Sequence, residues 1–206
     1  AAFPGADGLT DLIRNHENSP GDNKIGAFGG EKERLAQLNT GLLYDAGFGK
    51  TPGLGGTSTV HFDTRTGEVK RQFMSLAGTA RNCAGGPTPW NTWLSCEETV
   101  LTAGDLCEKD HGFIFEVPAS ASGLVTPVAL TAMGRFNHEA IAVDPKSGCV
   151  YLTEDRPDGL LYRFIPNVPG QMAQGGRLQA LAFKERPSAD SRNWNQDIQV
   201  KMGETI

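Results

Sequence analysis

Short runs of alternating apolar and polar residues cover most of the chain, and turn-forming residues separate them. Residues 57–63 (TSTVHFD) alternate, residues 64–67 (TRTG) have the composition of a turn, and residues 68–76 run back. This order predicts a β-hairpin. Similar patterns predict further strands over residues 9–17, 92–98, 112–117, 138–143, 149–154 and 160–165.

Helical periodicity is scarce. Residues 31–38 are predicted to form two helical turns, with Leu35 and Leu38 on one face. The 26 Gly and 12 Pro residues disfavour long helices and favour short strands joined by turns. We therefore predict an all-β fold.

One structural unit repeats along the sequence. The acidic pairs 97–98 and 154–155 each end a predicted strand, and an apolar segment follows each pair, at 112–118 and at 159–166. Such repeated antiparallel units are typical of β-propeller blades. A β-sandwich would also contain short strands, but it would not explain repeated acidic strand ends.

Equivalent strand ends of a propeller meet near its central axis. The triplet Asn-His-Glu occurs at 15–17 and at 137–139, which predicts that Glu17 and Glu139 point into the channel from equivalent contexts. Gathered carboxylates repel one another unless cations compensate them. The alternative is a pair of ordinary strand-end carboxylates that backbone N–H groups or arginines satisfy.

The acidic pairs add candidate metal ligands. Neighbouring strand residues point to opposite faces, so we expect one member of each pair to face a metal and the other to hold structure or support a ligand. Carboxylate oxygens favour Ca²⁺ or Mg²⁺. Solvated acidic turns are the alternative. The candidates are Glu97, Glu98, Glu154 and Asp155.

Cys83 lies in a Gly- and Pro-rich segment, residues 81–90 (RNCAGGPTPW), which we interpret as a loop. A soft thiolate among carboxylates indicates a transition metal such as iron. The alternatives are a buried free thiol, half of a disulfide, or a nucleophile paired with a histidine. His16 and His138 are either further ligands or hydrogen-bonded core residues, and His111 is a further partner for such a nucleophile.

Bulk properties exclude several classes of protein. The net charge is −5 without a basic stripe, which argues against nucleic-acid binding. No apolar run reaches the roughly 18 residues of a membrane span. The four cysteines form no CxxC pair, which excludes a zinc ribbon. The first residues lack the pattern of a signal peptide, so the protein is either cytosolic or has lost its signal.

Four stretches together resemble the PhoX family of bacterial alkaline phosphatases, and the likeness runs from about Leu9 to Trp194. The second stretch is the most specific. The stretches are 12–17 (LIRNHE), 81–98 (RNCAGGPTPWNTWLSCEE), 134–140 (GRFNHEA) and 151–156 (YLTEDR).

This resemblance implies a six-bladed β-propeller that is exported to the periplasm or beyond and hydrolyses small phosphomonoesters with Ca²⁺ and Fe³⁺. It makes Cys83 and Glu139 the expected iron ligands. Calcium or bridging positions are expected for Glu17, for Glu97 or Glu98, and for Glu154 and Asp155.

Two departures from the family are visible. Asn91 stands where a glycine is expected, which a turn should tolerate. Family members are about twice as long, so residues 1–206 are expected to form a single propeller domain with only part of the blades, the C-terminal ones missing. Two alternatives remain, a calcium-stabilised propeller module without catalysis and a lactonase- or phytase-like propeller hydrolase.

Overall fold

The computed structural model describes residues 1–22, 28–29 and 33–184, and these residues form three antiparallel sheets in chain order. Sheet 1 contains β1 (Ala2–Pro4), β2 (Thr10–His16), β3 (Gly55–Asp63) and β4 (Glu68–Thr79). Sheet 2 contains β5 (Asn82–Pro87), β6 (Thr92–Glu97) and β7 (Ile114–Pro118). Sheet 3 contains β8 (His138–Val143), β9 (Val150–Glu154), β10 (Leu161–Pro166) and β11 (Gly176–Ala180).

Each sheet is a meander in which strands that are consecutive along the chain pair antiparallel. The all-β prediction is confirmed, and so is the hairpin of β3 and β4 around the turn at 64–67. In the described part of the chain, the other regular elements are short 3₁₀ helices at Ala6–Gly8, Leu35–Gln37, Thr40–Leu42, Gly47–Gly49, Thr131–Met133 and Met172–Gln174.

Two sequence predictions about elements were wrong. The segment 81–90 is largely the strand β5 and not a loop. The helix expected over 31–38 is, in its described part from residue 33, a 3₁₀ turn at Leu35–Gln37, while residues 31 and 32 lie outside the described residues. Asn91 has φ of 59° in a turn, and asparagine tolerates that left-handed conformation better than most residues.

The sheets pack face to face, with sheet 2 between the other two. Alternation along β7 explains this, because neighbouring residues of a strand point to opposite faces. Ile114 belongs to the core shared with sheet 3, which also contains Leu152 and Phe164. Phe115 belongs to the core shared with sheet 1, beside Ile13.

Strand β5 runs alongside β8 of the next sheet, and glycines make the approach possible. A Cβ on Gly86 would lie 2.3 Å from the Ile141 carbonyl oxygen of β8. A Cβ on Gly85, where φ is +150°, would lie 1.9 Å from the Leu94 carbonyl oxygen of β6. A side chain at Gly86 would push β5 away from β8, and a side chain at Gly85 would push β5 away from β6, so the two glycines allow β5 to lie close to both strands.

Among the described residues, no helix has the length and apolar character that crossing a bilayer requires.

Candidate metal centre

Three acidic residues stand directly after the last residue of a strand, one from each sheet. Glu17 follows β2, Glu98 follows β6 and Asp155 follows β9. Glu98 N–H donates to the Arg81 carbonyl at 2.9 Å, and Asp155 N–H donates to the Asn137 carbonyl at 3.0 Å. These backbone bonds hold the two strand ends against the residues that precede β5 and β8.

Two further side chains come from irregular positions near the starts of β5 and β8. The register of β5 shifts between Asn82 and Gly85, and that of β8 shifts between His138 and Ile141. Each shift inserts one extra residue, which is a β-bulge and changes the direction of a side chain. Cys83 and Glu139 occupy these bulges, and Cys83 Sγ lies 3.4 Å from Glu139 Oε1.

Sheets 2 and 3 are therefore equivalent units, as the sequence repeat predicted. Asn82 pairs with Glu97 and His138 pairs with Glu154, which makes Cys83 the counterpart of Glu139. By the same register Glu98 is the counterpart of Asp155.

The five residues form two overlapping groups, which together we call the acidic cluster. Ligand atoms of Glu17, Cys83 and Glu98 lie within 4.8 Å of one another, and so do those of Glu98, Glu139 and Asp155. Glu98 belongs to both groups. The arrangement could hold two neighbouring cations that share one carboxylate.

The electrostatics of the acidic cluster favour a bound cation. Burial, the hydrogen bond to Glu139 and the nearby negative charges raise the pKa of Cys83 to about 12, so the thiol is protonated at neutral pH when no cation is present. Burial, a hydrogen bond with Asp155 and the charge of Glu139 raise the pKa of Glu98 against the opposing effect of Arg81. Cations would relieve both penalties.

Arg81 is the cation that contacts the acidic cluster among the described residues. Its guanidinium lies 2.9 Å from Glu98 Oε2 and 3.4 Å from Glu17 Oε1. Its backbone is left-handed, with φ of 47°. One guanidinium does not balance four carboxylates. The sequence reasoning gave Arg81 no role, although its place just before Asn82 and Cys83 was a usable signal.

Both asparagines of the Asn-His-Glu triplets anchor the backbone of sheet 2. Asn15 Nδ2 donates to the carbonyls of Cys83 (3.1 Å) and Ala84 (2.7 Å), which fixes the β5 bulge. Asn137 Nδ2 donates to the Glu98 carbonyl at 3.3 Å. The triplets are not in equivalent contexts, however, because the first ends β2 while the second starts β8. Sequence reasoning missed these anchoring roles.

Two predicted ligands lie outside the acidic cluster. Glu97 is fully buried on the other side of β6, where it accepts bonds from Ala80 N–H (2.8 Å), Gly112 N–H (2.7 Å) and the ring of His111 (2.7 Å). Glu154 accepts from Leu160 N–H at 3.1 Å and from the Tyr162 hydroxyl at 3.0 Å. Alternation along each strand directs the first acid of each pair away from the acidic cluster. These two carboxylates therefore hold neighbouring backbone segments in place and do not contribute to the acidic cluster.

The histidines of the triplets do not join the groups of possible ligands either. Burial, and after it the charge of Arg14, lowers the pKa of His16. Burial lowers the pKa of His138 to about 4, and its Nε2 lies 3.2 Å from the Gly134 carbonyl. Cys83 faces Glu139 and not a histidine, and all four cysteines are free. The structure thus gives no support to a nucleophile made of Cys83 and a histidine, or to a disulfide of Cys83.

Comparison with known proteins identifies the family. The family model described as "Alkaline phosphatase PhoX" matches residues 50–204. This chain belongs to the PhoX alkaline phosphatase family.

Among solved structures, PhoX of Pseudomonas fluorescens in complex with vanadate, a transition-state analogue, is similar to this chain with a TM-score of 0.54 and 18% identity. The match covers 86% of this chain and 43% of that one, so the chain spans less than half the length of its solved PhoX relative. No curated protein matches the sequence.

Proposed function

We propose that this PhoX-family chain takes part in the hydrolysis of phosphomonoesters as an alkaline phosphatase, with calcium and iron ions held by the acidic cluster. The observation that carries the proposal is the meeting of four carboxylates and one thiol from three sheets, with one arginine in contact among the described residues. Membership of the family and the vanadate complex of its solved relative support the same chemistry.

The donor set fits the two kinds of ion. Glu17, Glu98, Glu139 and Asp155 offer the hard oxygen ligands that Ca²⁺ prefers. Cys83 adds a soft sulfur that calcium does not use and that a transition metal such as Fe³⁺ accepts. Cys83 and Glu139, 3.4 Å apart, would hold the iron, and Glu98 would lie between the two kinds of ion.

Bound cations would supply Lewis-acid stabilisation of the phosphoryl oxygens. The residues of this chain would position the cations and leave one side of the acidic cluster open to solvent. Glu17 and Asp155 are exposed, whereas Cys83, Glu98 and Glu139 are half-buried, so a small phosphate ester can approach from the side of the exposed pair. Arg81 holds Glu98 and Glu17 in place through its ion pairs.

The architecture we propose is a single β-propeller domain over residues 1–206 in which the three sheets are blades. Sheets 1, 2 and 3 pack face to face in chain order, and β5 contacts both β2 and β8. Strands that lie beside one another in this way are expected near a propeller axis. We further propose secretion or a periplasmic location, which rests on the family alone.

Elemental analysis together with hydrolysis of p-nitrophenyl phosphate at alkaline pH tests the function. Calcium, iron and activity are expected in the wild type, and both Cys83→Ser and Glu139→Gln should lose iron and at least about tenfold in activity. Cys149→Ser and Glu68→Gln are matched controls outside the acidic cluster. Calcium without iron or activity would favour a propeller module without catalysis.

A further inference from the structure

A second group of metal-binding side chains lies on the other side of β6 from the acidic cluster. Asp45, Cys107 and His111 place one ligand atom each within 4.8 Å of one another. Their exposed fractions are 1%, 3% and 0%. We propose that these three residues form a structural site for a divalent transition metal, with zinc as the expected ion, independent of the proposed phosphatase chemistry.

The distances fit tetrahedral coordination. Asp45 Oδ2 lies 3.1 Å from His111 Nε2. Two ligands at about 2.1 Å from a tetrahedral zinc lie about 3.4 Å apart, so the observed separation is close to what a shared ion requires. Imidazole, carboxylate and thiolate are all zinc ligands, and together they disfavour calcium, which takes oxygen alone.

Glu97 completes the arrangement. Its Oε1 lies 2.7 Å from His111 Nδ1, on the side of the ring away from Asp45. A carboxylate that accepts the Nδ1–H bond leaves Nε2 free to bind a metal and fixes the orientation of the ring. Metal-binding histidines usually have such a partner. The buried position of Glu97 thus has a second consequence besides holding the turn.

Cys107 gives a separate reason to expect a ligand. Its thiol is buried and directed at the other two residues, and within the part of the chain that the structure describes it makes no hydrogen bond. The carboxylate of Asp45 is held in position as well, because it accepts backbone bonds from Gly47 N–H at 2.7 Å and Lys109 N–H at 3.0 Å.

The proposed ion would join two segments with little regular structure. Asp45 lies within the irregular residues 43–46, and Cys107 and His111 lie in the long connection between β6 and β7. A metal that binds these buried residues only in the folded state would add its binding free energy to the stability of the folded chain. The role would therefore be structural.

Cobalt(II) binding to the full chain tests the proposal, because cobalt replaces zinc and gives a thiolate charge-transfer absorption. The Cys83→Ser variant serves as the background, which removes the sulfur of the acidic cluster. In Cys83→Ser we expect the thiolate absorption to appear with one equivalent of cobalt. The matched control Cys83→Ser/Cys149→Ser should give the same absorption, and Cys83→Ser/Cys107→Ser should lose it.

X-ray absorption at the cobalt edge of the Cys83→Ser protein keeps the test decisive if the Cys107 variant fails to fold. A sulfur scatterer together with an imidazole supports the site. Oxygen and nitrogen scatterers alone, or a charge-transfer band that survives in Cys83→Ser/Cys107→Ser, would overturn it. Because none of these readouts uses activity, failure here is distinguishable from failure of the phosphatase proposal.

Discussion

At the scale of single residues, neighbouring acids have opposite roles. Glu97 and Glu98 are adjacent, yet Glu97 is fully buried among N–H donors while Glu98 reaches the acidic cluster on the other side. Glu154 and Asp155 repeat this division in sheet 3. Strand alternation alone produces it. The second acid of each pair is therefore the functional candidate.

Exchanging each acid of the first pair for glutamine should separate stability from function. Glu97→Gln turns an amide NH₂ toward backbone N–H donors in a buried site, so we expect the free energy of unfolding to fall by about 3 kcal/mol. Glu98→Gln should change it by less than about 1 kcal/mol and weaken metal binding instead. Urea unfolding and elemental analysis measure the two effects, and equal losses of stability would contradict the division.

At the scale of elements, alternation predicted most strands, and His138–Val143 was predicted with its observed bounds. The strand β5 was not predicted because its sequence, NCAGGP, lacks β-branched and aromatic residues. Its conformation depends on contacts with β6 and β8. The bulges at Cys83 and Glu139 had no sequence signal either, since a bulge is defined by the register against a partner strand. The sequence could identify carboxylates and a cysteine as candidate ligands. Which of them reach the acidic cluster depends on how the strands pair, and the sequence does not show that.

The close approach of β5 and β8 can be tested with one methyl group. In Gly86→Ala the Cβ would lie 2.3 Å from the Ile141 carbonyl oxygen, which should move the strands apart and separate Cys83 from Glu139. We expect a loss of about 1–3 kcal/mol in stability and weaker iron binding. Gly123→Ala is the matched control, because no atom lies within 4 Å of its Cβ position. Equal stability of the two variants would contradict this account.

The β3–β4 hairpin carries a pH-dependent contact. The side-chain hydrogen bond from Arg65, and then backbone N–H bonds, lower the pKa of Asp63 to about 2. A depressed pKa in the folded state adds stability above the unfolded value of about 3.8, and this contribution is lost as the pH falls toward 2. Asp63→Asn should therefore be less stable than wild type at pH 6, and the difference should narrow below about pH 4. Urea unfolding between pH 3 and 6 measures the difference in the free energy of unfolding. A difference that stays constant over this range would contradict a stabilising role for the Asp63 charge.

At the scale of the whole molecule, the acidic cluster receives side chains from all three sheets. A bound cation would therefore add a connection between units that also meet through apolar cores and through the hydrogen bonds of Asn15 and Asn137. Without cations, the gathered carboxylates oppose this assembly. Cation binding and the packing of the sheets should therefore be coupled.

Calcium should stabilise the folded chain through this coupling. At a concentration 100-fold above Kd the gain is about 2.7 kcal/mol, which corresponds to a rise in Tm of roughly 5–10 °C for a chain of this size. Asp155→Asn should lose most of the rise, and Glu68→Gln should keep it. Thermal unfolding with calcium or a chelator measures the effect, and equal rises in both variants would contradict a role for the acidic cluster.

The most direct test of the proposed metal centre is anomalous diffraction from crystals of the metal-loaded protein, recorded on both sides of the iron absorption edge. We predict an iron peak within bonding distance of Cys83 Sγ and a Glu139 oxygen, with calcium beside it near Glu98. Iron bound elsewhere, or no iron at this position after loading, would show that the acidic cluster is not the iron site.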